Sequence, residues 1–507
     1  MSASSMKSSF LLELREDLET FAGNFDDLMG RVENQGHLRT FSRGQLGTVE
    51  RKALEPIAEL EDVNPRLLQF FFSKYKWDED GVRDRIQKMV ADKYGSDDGI
   101  FIIDETSDSK KGLWTAGIQR QYCGESGKTD NCIVSVHLAY RNKGFHCLLD
   151  SDLYMPKSWD CDTGDDNIEE RRERASVPDD VGYESKAKLS VAQLRRAMGN
   201  GVEGKYVAAD EGYGSKPWWR DELGELGKTY VVEVPKNTRG WLRRPTPGNK
   251  GRKHKKGCHE KLVSSSAKGP LKVEDLVSSP HGLRFTKWEH YIVKNTTKGP
   301  EIWRFKRHTF YESRRQNRVG KAQRLIVAVN ILTNQIKYFL SNAPSNAKLS
   351  KLVAVAFSRY WVERCFQDCK SQLGLNHAEI RSYIGLKRHF ILTMANYYFI
   401  QDWRHHREWP DYDTTPTVNQ LANAVQKLID FEVEAALDIP IELVPQAVKN
   451  RAARHAKRII NTQAKNAKAR KSHTKKRLRL LEEEHGILID PPDLPMDADL
   501  PKLIHVT

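Results

Sequence analysis

Apolar positions recur along this chain in two rhythms, and the change from one to the other divides it. From Phe10 to Tyr94 the spacing is helical: Phe10, Leu11, Leu12 and Leu14 open one amphipathic stretch, and Ser42 is placed to cap a second that carries Leu46, Val49, Leu54, Ile57 and Leu60. Pro65 suits the first turn of a third helix with Leu67, Leu68 and Phe70 to Phe72, and Asp78 suits the cap of a fourth that ends at Tyr94-Gly95. Residues 1–95 thus read as a compact helical domain with room for a helix-turn-helix unit, serving either DNA binding or packing alone.

From Gly99 the rhythm is that of strands, with runs at 101–104, 114–122, 131–140 and 145–154. A helical stretch follows at 189–199, then a run ending at Asp210, a helix opening at Pro217, and a run over 230–234. Strands followed by alternating helix and strand predict an α/β domain, a mixed sheet flanked by helices in the order of the ribonuclease-H-like fold. In that order the first strand is central and the fourth lies beside it, so Asp104 and Asp210 are expected at neighbouring strand ends on the same sheet edge. Alternating segments at 284–288, 290–293, 302–305, 325–329 and 336–340 predict a strand-rich insertion, after which a helix over 351–373 resumes the main domain. The expected division is a helical domain at 1–95, a catalytic domain at 96–235 and 350–400, an insertion at 236–349, and a helical region at 401–507.

Charge narrows the partner. Lys and Arg number 82 against 68 Asp and Glu, a net +14 that points to a polyanion, nucleic acid foremost. Residues 236–256 hold nine Lys/Arg and no acid, among them Lys236, Arg252, Lys253, Lys255 and Lys256. Residues 449–479 hold thirteen and again no acid, so Lys457, Arg458 and Lys471 are expected to meet phosphate. The stretch 491–501, rich in Pro and Asp, reads as loose. No apolar run is long enough for a membrane span, and Met1 to Ser9 lacks the apolar core of a secretory signal. Seven cysteines without a C-x-x-C pair fit the reduced thiols of a cytosol, and the expectation is a cytoplasmic protein.

Candidate chemistry rests on Asp104, Asp210 and Glu363. Two aspartates after apolar runs and a glutamate on a later helix are the hard oxygen ligands of a two-metal phosphoryl-transfer site, although each alone is an ordinary turn residue. Other motifs carry less. Gly124 to Thr129 imitates the end of a phosphate-binding loop, but Tyr122 stands where its first glycine is required, and a strand follows instead of a helix. The acids at 150–166 lack calcium-loop spacing, while Cys365 with Cys369 and His405 with His406 lack a second ligand pair.

Taken together, the phrases Ile103-Asp104-Glu105-Thr106 with Lys110-Lys111-Gly112, Arg120-Gln121-Tyr122 with Gly124, Gly127-Lys128 and Asn131-Cys132, Ala209-Asp210 with Gly212-Tyr213-Gly214, Val234-Pro235-Lys236-Asn237, and Trp361-Val362-Glu363 with Phe366, Lys370 and Leu373-Gly374-Leu375 resemble the DDE transposases of bacterial insertion sequences. The closest likeness is to the seven-oh-one group, allied to the insertion-sequence-four clan, and it covers about residues 40–400. In that clan a Tyr–Arg–Glu–Lys signature surrounds the third acid; Arg359, Glu363 and Lys370 keep its spacing, while Ala356 stands at the tyrosine position. The resemblance implies cut-and-paste transposition by two Mg²⁺ ions, replaceable by Mn²⁺, on Asp104, Asp210 and Glu363. It implies a homodimer on double-stranded DNA, acting on terminal inverted repeats and target DNA, with Arg359 and Lys370 on phosphate. By analogy with hairpin-forming relatives, Trp288 or Trp303 of the insertion is a base-stacking candidate, against a plain core role. A non-catalytic DNA-binding regulator and a structure-specific nuclease on the same fold are the alternatives.

Overall fold

In the computed structural model the described residues are 9–47, 49–164, 167–246, 269–279, 282–314, 318–409, 415–438, 443–490, 494 and 501–504. They form two compact units, one of residues 1–96, 104–203 and 361–467, the other of 97–103, 204–360 and 468–507. The fold is mixed α/β, with helical regions before and after the strands.

The first unit opens with helices α1 (Ser9–Gly23), α2 (Val32–Leu46), α3 (Leu54–Leu60), α4 (Pro65–Ser73) and α5 (Glu79–Tyr94). Asn64 caps α4 ahead of Pro65 by accepting from the Arg66 amide, and Asp78 caps α5 by accepting from Gly81. The second expected helix is two. Ser42 does not cap it but lies buried inside α2, and the chain breaks before Leu54. These helices pack on the long apolar helix α13 (Tyr383–His406), where Arg388 donates to the Phe71, Phe72 and Tyr75 carbonyls.

The strands of this unit are the outgoing part of β1 (Ile100–Ser109), β2 (Gln119–Cys123), β3 (Lys128–Asn142) and β4 (Phe145–Leu153). β3 neighbours β1 and is long enough to take two further partners, β2 along 128–132 and β4 along 135–142. The expected strand at 114–122 is shorter than its apolar run, because Thr115 to Ile118 form a buried turn. Helix α7 (Lys186–Gly199), capped by Ser185, covers the sheet through Gln193, which donates to the Val136 carbonyl.

In the second unit the incoming part of β1 pairs in parallel with β5 (Tyr206–Ala209), and β5 in parallel with β6 (Thr229–Glu233). The insertion does not stand apart from these strands. Its β12 (Ile336–Ser341) pairs antiparallel with β6, and β11 (Arg318–Asn330), β10 (Gly299–Arg314) and β9 (Glu289–Thr296) follow in antiparallel order. Residues 284–288, expected as a strand, form a turn and its exit. β13 (Lys502–Ile504) adds to β9 at the edge of this sheet. Most of the stretch expected to be loose, 491–501, lies outside the described residues.

The helix expected over 351–373 is interrupted. It comprises α11 (Leu349–Ala356), a 3₁₀ turn over Phe357–Arg359, and α12 (Tyr360–Leu373), which Gly374 ends by taking φ 66°, a conformation that favours glycine. The basic stretch forms one helix, α15 (Val444–His485), of 42 residues.

Candidate active site

In the second unit, register carries the main observation. Ile100, Phe101, Ile102 and Ile103 of β1 pair with Tyr206, Val207, Ala208 and Ala209 of β5. The residue after Ile103 is Asp104 and the residue after Ala209 is Asp210. The strands owe this pairing to unbroken burial on both faces, which small and β-branched residues permit in a parallel core. Asp210 closes β5 and caps the next turn, its carboxylate accepting from the Tyr213 amide at 3.3 Å. Asp104 departs from expectation: it does not end a strand, because β1 runs on to Ser109. It is buried, and the Glu105 amide donates to its Oδ1 at 2.9 Å.

Beyond Asp104, the first unit builds a dense polar cluster on β1. Glu105 pairs with Lys186 at 2.6 Å. Lys370, from the last turn of α12, donates to the Ser107 carbonyl at 3.1 Å. Burial pushes the Asp108 carboxyl up to about 6, against the pull of Lys110, which it meets at 2.5 Å. Glu125, in the turn between β2 and β3, accepts from the Ser109 amide at 3.1 Å and from Asn376 at 2.8 Å. Lys110 Nζ reaches the Ala378 carbonyl at 2.6 Å. Glu363 lies exposed in the first turn of α12, where the helix N-terminus favours a carboxylate. Phe366 is buried against His137, their rings 5.0 Å apart; burial holds that imidazole uncharged, down to about 3.

The expected DNA contacts scatter. Arg359 is half-buried in the 3₁₀ turn that precedes the helix of Glu363, whereas Glu363 and Lys370 share one uninterrupted helix. Lys236 is exposed and 3.6 Å from Glu274. Arg252, Lys253, Lys255 and Lys256 lie outside the described residues. Lys457, Arg458 and Lys471 are exposed on α15. Trp303, 2 % exposed, donates to Glu301 and packs on Phe357, so no base can reach its face. Trp288 is half-buried with the Lys306 and Arg304 cations 4.3 and 4.7 Å from its ring centre.

The decoys have structural employment. The turn Gly124–Gly127 is a β-hairpin end; Asp150 is buried with Arg196 at 2.8 Å; Cys365 and Cys369 are buried; His406 stands 3.6 Å from Asp402. Among the described residues no group of three or more His, Cys, Asp or Glu side chains forms a ready metal cage. The donor set suits a hard divalent ion nonetheless. Mg²⁺ is characteristically held by one or two carboxylates, with water and substrate phosphate completing its shell, and needs no all-protein cage. No helix among the described residues is long and apolar enough to cross a membrane. The cluster formed by Ser107, Glu125 and Asn376 escaped sequence reasoning; its only trace was the Gly-x-x-Gly-Lys turn.

A family model described as DDE superfamily endonuclease matches residues 24–300, more than half of the chain. The chain is also 30% identical over 196 residues to a protein of Microchaete diplosiphon described as "Probable transposase for insertion sequence element IS701". That match covers 38% of this chain and 47% of the relative, about half of its length.

Proposed function

Since this chain belongs to the DDE superfamily of endonucleases, we propose that it is a transposase that cuts and rejoins DNA at the ends of a mobile element, with Asp104, Asp210 and Glu363 as catalytic carboxylates. One observation carries the reading: the parallel register that pairs Ile103 with Ala209, each followed directly by an aspartate. The likeness to a protein described as an insertion-sequence transposase supports the choice of reaction within the superfamily.

A divalent ion, Mg²⁺ or Mn²⁺, bound by these carboxylates would supply Lewis-acid polarisation of the phosphate and a water of lowered pKa, and a second would balance the leaving oxygen. The protein's own contribution is fixed charge. Asp104 is oriented by the Glu105 amide and Asp210 by the Tyr213 amide. Glu363 brings the third negative charge from a helix end that stabilises it. No residue is asked to form a covalent link to DNA. The cations of α15 and the basic loop would hold the duplex, Trp288 is the remaining stacking candidate, and a homodimer would pair two element ends on their inverted repeats before strand transfer into target DNA.

The test uses the full chain, end-containing duplex and Mg²⁺. Asp104→Asn, Asp210→Asn and Glu363→Gln are each expected to slow end cleavage by at least about a hundredfold, the scale of losing one preorganised charge-stabilising group, with binding retained. Near-normal cleavage in any one variant removes that residue from the site. Cleavage of any branched DNA regardless of sequence would make the protein a nuclease, and binding without cleavage by the unaltered chain would make it a regulator.

A further inference from the structure

Lys370 sits where a phosphate-binding cation is expected, yet its ammonium is engaged inside the protein. It donates to the Ser107 carbonyl at 3.1 Å, half-buried, on the strand that carries Asp104. The segment after the helix is strapped to the same strand and its hairpin: Asn376 donates to Glu125 at 2.8 Å, Glu125 accepts from the Ser109 amide at 3.1 Å, and Lys110 reaches the Ala378 carbonyl at 2.6 Å. The turn that imitates a phosphate loop thus has a different role, which is to present Glu125.

The spacings along helix and strand match. Glu363 precedes Lys370 by seven residues of α12, which is ~10.5 Å of rise and about 20° of rotation. Asp104 precedes Ser107 by three residues of β1, which is ~10 Å of strand. The helix also advances in the direction of β1. Trp361 has Arg141 at 4.8 Å from its ring, Phe366 has His137 at 5.0 Å, and Asn131, further back along β3, accepts from the Lys110 amide at 3.0 Å. A tie between Lys370 and Ser107 therefore sets Glu363 level with Asp104.

We infer that Lys370 is a positioning residue, a clasp that fixes the Glu363 helix in register with the Asp104 strand, with Glu125, Asn376 and Lys110 as its outer fastening. This rests on the catalytic reading of Asp104 and Glu363 given above. A misplacement of about 1 Å at a reacting centre costs on the order of a hundredfold in rate, so the clasp acts on turnover and not on affinity.

The experiment compares Lys370→Met with the unaltered full chain in end cleavage, in end affinity across salt concentration, and in amide hydrogen exchange over residues 360–373. The expected result is a cleavage rate about 10- to 100-fold lower, unchanged affinity and salt slope, and faster exchange in the helix. A salt slope smaller by about one unit with weaker binding would make Lys370 a phosphate ligand and overturn the clasp; so would unimpaired cleavage. Should Lys370→Met fail to fold, Asn376→Ala at the outer fastening is expected to show the same pattern at about a fifth of normal rate, a milder version of the same misplacement, and normal cleavage there overturns the proposal. Asp104→Asn run beside them separates the two readings. Cleavage that survives it refutes the catalytic assignment, whereas its loss together with a fully active Lys370→Met refutes the clasp alone.

Discussion

The helices at the start of the chain and helix α15 near its end both carry many cations and use them in opposite ways. Residues 1–95 hold fourteen Lys/Arg against seventeen Asp/Glu, and four of the arginines pair with carboxylates of the same segment: Arg39 with Asp26 at 2.8 Å, Arg43 with Glu61 and Arg85 with Asp27 at 2.5 Å each, Arg83 with Asp80 and Asp84. Along α15, among the described residues, Lys457, Arg458 and Lys471 have no carboxylate at ion-pair distance. His455 registers that field: burial first, then Arg451, Arg458, Lys427 and Arg454, push its imidazole down to about 4. The number of cations alone does not separate the two regions; their ion pairing does. Gln45 from α2 donates to the Leu373 carbonyl at 2.9 Å and so supports the end of the helix that carries Glu363.

The comparison can be broken most forcefully at Arg83, buried against Asp80 and Asp84. Arg83→Met removes both contacts while Asp80 keeps Lys387 at 2.8 Å, and the expected loss is about 1 kcal/mol of stability by denaturant unfolding. DNA affinity per folded molecule should keep its salt dependence; a flattened slope would show that these cations grip DNA after all.

A second variant replaces Lys457, Arg458 and Lys471 together by Gln. The logarithm of affinity against the logarithm of salt should lose about three units of slope, roughly 0.9 for each phosphate contact, with the thermal midpoint unmoved. An unchanged slope would return α15 to a solvated helix. Deleting the tail is a poorer test, because Leu481 and Ile487 share a core with Ile292 and Ile302, and β13 completes the edge of β9.

The smallest effect sharpens the contrast within α15. Arg458→Gln removes one of the charges that hold His455 neutral, so its titration midpoint should rise part of the way from about 4, read by imidazole resonances. The sign follows from linkage. A folded pKa below the ordinary 6.5 makes the neutral ring the native form, so its contribution to stability is full above 6.5 and is lost as pH falls toward 4. In Arg458→Gln that loss should span a narrower range; a midpoint that does not move would mean burial alone sets it.

Legibility differed by element for identifiable reasons. The caps at Asn64 and Asp78 act within a few residues of chain, so local pattern suffices to expect helices there. Ser42 misled because a buried serine inside α2 has the composition of a cap. The apolar run at 114–122 continues through a buried turn, and residues 284–288 alternate without pairing, since neither burial nor alternation specifies a hydrogen-bonded neighbour. The three acids were singled out by chain order and flanking residues, while Ser107, Glu125 and Asn376 were not, because their only distinction is whom they touch.

What the sequence alone determined is what travels along the chain: helix against strand, the place of Asp104 and Asp210 after apolar runs, the acid-free cation stretch of α15, and enough motif to name a superfamily. What only the tertiary structure decided is pairing between distant segments. The insertion adds its β12 to β6, β13 joins β9, Trp303 is shut away from any base, and Lys370 faces a strand carbonyl. Periodicity reports which face of an element is apolar, a property of neighbouring residues. Register and ion pairing are set by contacts across hundreds of residues, where several partners of equal chemistry compete and packing selects one.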